Sequence, residues 1–111
     1  MLFGGWGIDT GEPSSPLGSL LATYDRATGQ GASNRSRYSN PEVDRLVAEG
    51  LAMLDDEQRR QTFIRATEVA MWDVALVPMH HQVNLWGVRR GLSHTARADE
   101  WTLATGVRPA N

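Results

Sequence analysis

The sequence predicts an α+β fold in which three helices, two of them forming an αα-hairpin, pack on a small mixed sheet. Apolar residues recur at helical spacing over the first two-thirds of the chain, and later segments change to short runs typical of strands. The 111 residues have the length of one domain and can bury a single hydrophobic core. Residues 1–111 are therefore predicted to be one structural segment.

The beginning of the chain is apolar and rich in glycine over residues 1–8, which predicts a buried strand that runs into a loop. Because this strand has no polar lead-in, we expect the chain to be cut from a longer protein. A turn-rich loop follows over 9–16, and Ser15 before Pro16 predicts the N-cap and first residue of a short helix. Its predicted apolar positions are Leu17, Leu20, Leu21 and Tyr24. The polar stretch 28–37 is predicted to be a surface loop.

The second helix has the clearest start signal. Either Asn40 caps it with Pro41 in the first position, or Ser39 and Glu42 form a capping box; a residue before proline avoids helical geometry, which favours Asn40. A similar start at Asp55 begins the third helix, and the short connection predicts the αα-hairpin. The apolar stripes are Val43, Leu46, Val47, Gly50, Leu51 and Leu54 on one helix and Phe63, Ala66, Ala70 and Val74 on the other.

Strands are predicted in the last third of the chain. The run 75–79 is apolar, and Pro78 within it favours a sheet edge. Residues 81–88 alternate loosely, and a further strand is predicted over 101–107.

Composition excludes several classes of protein. The net charge is -2, with acidic and basic residues interspersed, which argues against nucleic acid or an anionic membrane as a partner. The chain has no cysteine, which excludes disulfides and thiolate zinc sites. No membrane-spanning run and no signal peptide is visible. We predict no cofactor.

Histidines offer weak evidence for catalysis or metal binding. His80 and His81 are adjacent, and neighbouring strand residues point to opposite faces, while His94 stands alone. We therefore predict no catalytic residue and no metal site. The histidines are interpreted as polar residues at a strand end, near a surface or cleft. A metal enzyme using His80, His81 and Asp73 stays open as an alternative, as does a helical interaction module built on the hairpin.

Trp6 and Asp9 are the candidate ligand-binding residues. An aspartate in a desolvated cleft can pair with a ligand ammonium, and an indole offers apolar area with one N–H donor. The alternative is that Trp6 belongs to the core and Asp9 caps a turn.

Three blocks of sequence resemble one known family. Tyr38-Ser39-Asn40-Pro41-Glu42-Val43-Asp44-Arg45-Leu46 resembles the YSNPExDxL signature of the family 5 extracellular solute-binding proteins, the binding components of peptide, oligopeptide and nickel ABC importers. Trp6-Gly7-Ile8-Asp9 with Glu12-Pro13 resembles the upstream WxxDxxxP loop. Downstream resemblances are Arg59-Arg60, Ala66-Thr67-Glu68 and Val77-Pro78-Met79-His80, and the blocks follow the family's order from Trp6 to Arg90.

This resemblance implies a substrate-binding component of an ABC importer rather than an enzyme. It implies that the chain is a C-terminal segment of one lobe of a two-lobed clamp that closes on its ligand. Asp9 would pair with the α-ammonium of a peptide, and Trp6 would lie beside the same cleft. The implied partners are this small ligand and a membrane permease, in the periplasm and peripheral to the membrane, with the signal peptide lost through truncation. His80-His81 in place of aromatics, and Gly11-Glu12-Pro13-Ser14 in place of an Asp-Pro-Asp run, depart from the family pattern and leave the solute open.

Overall fold

The computed structural model describes residues 3–7 and 11–110, in two compact units, Met1–Met79 and His80–Asn111. The first unit contains α1 (Ser14–Pro16), a π-helical turn that continues it (Leu17–Leu21), α2 (Pro41–Ala52) and α3 (Asp56–Trp72). The second contains β1 (Leu92–His94), a 3-10 turn (Ala104–Gly106) and β2 (Val107–Pro109). The α+β class and three helices are confirmed, with the helices in the first unit and the sheet in the second. Among the described residues, no helix is long and apolar enough to span a membrane.

The start of α1 differs from the prediction. The helix begins at Ser14 after Pro13, and no side chain caps it, so Ser15 is not the N-cap. The backbone N–H of Leu17 instead donates to the carbonyl oxygen of Pro13 at 3.0 Å, which closes the first turn with backbone groups alone. Leu17 and Leu21 are buried, whereas Tyr24 lies beyond the helical segment and is exposed.

Both N-caps of the predicted αα-hairpin are confirmed. The side chain of Asn40 accepts a hydrogen bond from the backbone N–H of Glu42 at 2.8 Å, with Pro41 as the first residue of α2. The side chain of Asp55 accepts from the backbone N–H of Gln58, also at 2.8 Å, and α3 begins at the next residue, Asp56. Each cap satisfies a backbone donor that the helix cannot pair internally.

The core lies between the two hairpin helices and the π-helical turn. Phe63 is 0% exposed, and its ring lies so close to Gly50 that a Cβ there would stand 2.5 Å from its Cε1 atom. Glycine therefore lets α2 approach the ring. The buried apolar cluster comprises Leu17, Leu21, Val43, Leu46, Val47, Phe63, Ala66 and Ala70.

Three residues predicted for the apolar stripes are instead exposed. Leu51 lies on α2 but faces solvent, with 63% of its surface exposed. Leu54 is 97% exposed because α2 has already ended at Ala52. Val74 follows the end of α3 with a positive φ of 53°, a conformation that turns the chain out of the helix.

The predicted surface loop 28–37 contains one buried anchor, Asn34, which is 3% exposed. Its side-chain nitrogen donates to the carbonyl oxygens of Ala22 at 2.9 Å and Tyr38 at 2.7 Å, and its oxygen accepts from the backbone N–H of Tyr38. Gly31 has a φ of +63°, and a Cβ there would lie 2.5 Å from the carbonyl oxygen of Ala22. The loop is thereby fixed to the end of the π-helical turn.

Most of the predicted strands are wrong for the described residues. Residues 3–7 and 75–88 form no strand there, and β2 begins only at the end of the segment predicted over 101–107. The sheet is two-stranded and antiparallel rather than mixed, with Ser93 opposite Arg108. A strand requires a neighbour for its backbone groups, and an apolar pattern does not supply that neighbour.

Candidate functional site

Of the two predicted ligand-binding residues, Trp6 lies among the described residues and Asp9 does not. Trp6 lies in the described segment 3–7 and is 42% exposed, so it is not a buried core residue. Asp9 lies outside the described residues. Their common site stays a prediction.

The residues of the YSNPEVD segment form a well-defined polar arrangement instead. The hydroxyl of Tyr38 and the side-chain nitrogen of Asn40 both donate to the same oxygen of Asp73, each at 2.6 Å. We call Tyr38, Asn40 and Asp73 the tyrosine brace. It joins the start of α2 to the residue that follows α3, because Asn40 also caps α2.

Asp44, in the first turn of α2, holds the preceding segment in the same way. Its carboxylate accepts from the backbone N–H of Thr23 at 2.8 Å, from the Thr23 hydroxyl at 2.5 Å and from the side-chain nitrogen of Gln30 at 3.1 Å. Two of these donors belong to Thr23, which follows the π-helical turn, and the third belongs to Gln30 in the loop 28–37.

The residues of the YSNPEVD segment therefore stabilise the fold of the first unit by joining its segments through hydrogen bonds. Tyr38, Asn40 and Asp44 each bond to a protein group, which accounts for why these residue types stand at these positions. Sequence reasoning recognised the segment and the Asn40 cap. It considered Asp73 only for a metal enzyme and missed it as the hydrogen-bond partner of Tyr38, which lies 35 residues earlier. No periodicity or local motif connects residues so far apart.

The brace shifts the acid–base behaviour of its members. Hydrogen bonds from Tyr38 and then from Asn40 lower the pKa of the Asp73 carboxyl below its usual value. Burial, followed by the hydrogen bond to Asp73, raises the pKa of Tyr38 from 10.0 to about 12. Both shifts favour the arrangement in which a neutral phenol donates to a charged carboxylate.

Raising the pH above 10 is expected to weaken this brace. Because the pKa of Tyr38 is raised to about 12, the folded chain holds that proton more tightly than the unfolded chain. The stabilisation is complete below the unfolded value of 10.0 and is lost as the pH rises through about 12. Urea unfolding of wild type and Tyr38→Phe across this window should show their difference in unfolding free energy fall by about 1 kcal/mol, a figure reduced for solvent screening. A difference that stays constant to the alkaline end would contradict the brace.

The basic pair Arg59–Arg60 lies on α3 and is paired with acidic residues of the same helix. Arg59 pairs with Asp56 at 2.7 Å, and Arg60 pairs with Glu57 at 2.7 Å. Arg60 and then Gln61 lower the pKa of Glu57 to about 2. These pairs neutralise the charge of Arg59 and Arg60 locally.

The metal-enzyme alternative gains no support from the geometry. Within residues 3–7 and 11–110, no group of three histidine, cysteine or acidic side chains is placed to hold a metal ion. Asp73, the acid of that alternative, lies in the first unit and already accepts two hydrogen bonds.

Comparison with known proteins identifies relatives among binding proteins. The chain is 32% identical over 80 residues to the periplasmic oligopeptide-binding protein OppA of Salmonella typhimurium, covering 72% of this chain and 13% of that protein. It is 30% identical over 81 residues to a probable di/tripeptide-binding protein 5 of Pseudomonas aeruginosa, covering 73% and 15%. A heme-binding protein A of Haemophilus influenzae is 29% identical over 79 residues, covering 71% and 14%.

These relatives are much longer than the chain, whose matched part spans about 13% of the oligopeptide-binding proteins. No family model matches the chain. No solved structure matches it either.

Proposed function

This chain belongs to the family 5 extracellular solute-binding proteins, and we propose that it is part of the substrate-binding component of an ABC importer. That component captures a peptide in a cleft between two lobes and delivers it to a membrane permease. The observation that carries the proposal is the similarity over 80 residues to a protein named as a periplasmic oligopeptide-binding protein. Affinity comes from lobe closure around the solute, with no covalent step.

The chain acts as the C-terminal segment of one lobe in this proposal. Large apolar side chains that a compact protein normally covers are open to solvent in both units: Leu54 is 97% exposed, Trp72 87% and Leu85 90%. An apolar cavity of about 390 Å³ also opens beside Met71 and Trp72 at the end of α3. The remainder of the protein would cover these surfaces and supply partners for the extended segments 75–88.

The ligand contacts are Asp9 and Trp6. The carboxylate of Asp9 pairs with the α-ammonium of the peptide, a charge-assisted contact that strengthens as the cleft closes and excludes water. Trp6 has 42% of its surface open to solvent, so its indole can pack against a solute. The protein is extracytoplasmic, and it meets the membrane only through the permease.

Native mass spectrometry of the complete protein that contains this chain tests the proposal. The protein is isolated from cells, stripped of ligand by unfolding and refolding, and exposed to a mixture of di- to pentapeptides. We expect peptide adducts at one peptide per protein, both on the material from cells and after reloading.

A haem adduct, with no peptide adduct after reloading, would contradict the proposal and favour the ligand of the Haemophilus relative. Protein that binds neither would contradict the importer function as a whole. A sample that fails to refold is recognised by loss of the helical circular dichroism signal, and the material taken directly from cells then decides the outcome.

A further inference from the structure

The second unit contains a small cavity beside the antiparallel strands. Its volume is about 250 Å³, and it lies where β1, the 3-10 turn and β2 meet. The polar residues that line it are His94, Thr95, Arg97, Thr105 and Arg108. All of them belong to residues 80–111, which form one compact unit.

His94 is the least satisfied polar side chain of this cavity. Both ring nitrogens are buried, and neither has a hydrogen-bond partner among the described residues. The ring stands 6.1 Å from that of Trp86, tilted by 46°, so an aromatic wall lies on one side. A buried polar atom without a partner costs stability, and such an atom in a native protein calls for an explanation. A ligand with acceptor oxygens would supply the missing partner, because an imidazole always carries at least one N–H donor.

The cationic side chains of the cavity differ in their pairing. Arg97 forms an ion pair with Asp99 through both guanidinium nitrogens that face it. The guanidinium of Arg108 forms no ion pair with any residue that the structure describes, whereas the backbone of Arg108 pairs with Ser93 in the sheet and its carbonyl oxygen also accepts from the Ser93 hydroxyl. Its guanidinium is thus available, and its planar fork matches the two oxygens of a carboxylate or phosphate.

We propose that this cavity binds a small anion that carries a carboxylate or phosphate group. Arg108 supplies the charge and the fork, His94 donates a hydrogen bond from its ring, and the hydroxyls of Thr95 and Thr105 can satisfy the remaining oxygens. Leu103 supplies an apolar wall that limits the size of the ligand. This proposal does not rest on the proposed function, because neither Trp6 nor Asp9 is among the residues that line the cavity.

The test is a titration of the chain with sodium phosphate and, separately, sodium acetate, with sodium chloride holding the ionic strength constant. Proton–carbon NMR follows the ring resonances of the three histidines, and His94→Gln assigns the His94 signal by its loss. We expect a saturable shift of His94 in the millimolar range with at least one of the two anions, and no shift of His80 or His81. The two arms tell a phosphate site from a carboxylate site.

Variants of surface arginines make the outcome decisive. Arg108→Gln should weaken the apparent Kd about tenfold, as expected for the loss of one charge-assisted pair. Arg108→Lys should fall between that variant and wild type, and Arg90→Gln, which removes an exposed arginine outside the cavity, should leave the Kd unchanged. An unchanged indole N–H resonance of Trp86 shows that the unit is intact in each variant.

The proposal is overturned by a His94 resonance that does not move or moves without saturation. Equal shifts of all three histidines, or the same Kd for Arg108→Gln and wild type, would likewise reject it.

Discussion

Replacing Phe63 with alanine is expected to lower the free energy of unfolding by about 3–5 kcal/mol, the usual loss when a large buried aromatic side chain is deleted. Phe63 is 0% exposed and is the largest fully buried side chain of the described residues. Its ring fills the space that Gly50 leaves on α2, so alanine would open a cavity at the contact between α2 and α3. Since whole domains are stable by about 5–15 kcal/mol, this single change removes a large part of the total.

Urea unfolding of the 111-residue chain, followed by the helical circular dichroism signal, measures this effect. The matched control is Ile64→Ala, the neighbouring residue on the same helix, which is 38% exposed. It should cost less than about 1.5 kcal/mol, because solvent takes the place of the deleted atoms. Equal losses for the two variants would show that α3 does not present Phe63 to the core.

The helices could be predicted because their signals are local. Asn40 before Pro41 and Asp55 before Gln58 place cap and helix within a few residues, and both caps are confirmed. Ser15 before Pro16 is an equally good pattern that failed. Its failure has a local cause: the backbone carbonyl of Pro13 closes the first turn, which places the helix start before Ser15.

Strands and polar partners could not be predicted because both depend on contacts that neither helical nor strand periodicity encodes. The segments 75–79 and 81–88 have strand-like patterns but pair with no strand among the described residues. Asn34 stood in a polar stretch that indicated a surface loop, yet its amide is buried against the carbonyl oxygens of Ala22 and Tyr38. Only the folded chain brings these groups together.

The candidate site depended on resemblance rather than on pattern. From the pattern alone, a core tryptophan and a capped turn explain Trp6 and Asp9 better than a ligand site does, and it is the resemblance to the family that makes the two residues candidate ligand contacts. The structure then separated two kinds of signature residue. Tyr38, Asn40 and Asp44 hold the first unit together, while the exposed Trp6 is left for the proposed ligand.

Asp9→Asn in the complete protein is expected to have the second large effect, on peptide affinity. The substitution keeps the size of the side chain and removes the negative charge that pairs with the peptide ammonium in the proposed function. Loss of one partner of a desolvated charge pair costs about 2–5 kcal/mol, which weakens binding about thirtyfold or more. Asp55→Asn is the matched control, because it also removes one aspartate charge, at the N-cap of α3, and asparagine caps a helix as well as aspartate does.

Isothermal titration with a tripeptide and with its N-acetylated form is the most direct test of the claim that Asp9 receives the ligand ammonium. We expect that wild type strongly prefers the free amine, that Asp9→Asn loses this preference, and that Asp55→Asn keeps it. A preference for the free amine that survives unchanged in Asp9→Asn would contradict the account.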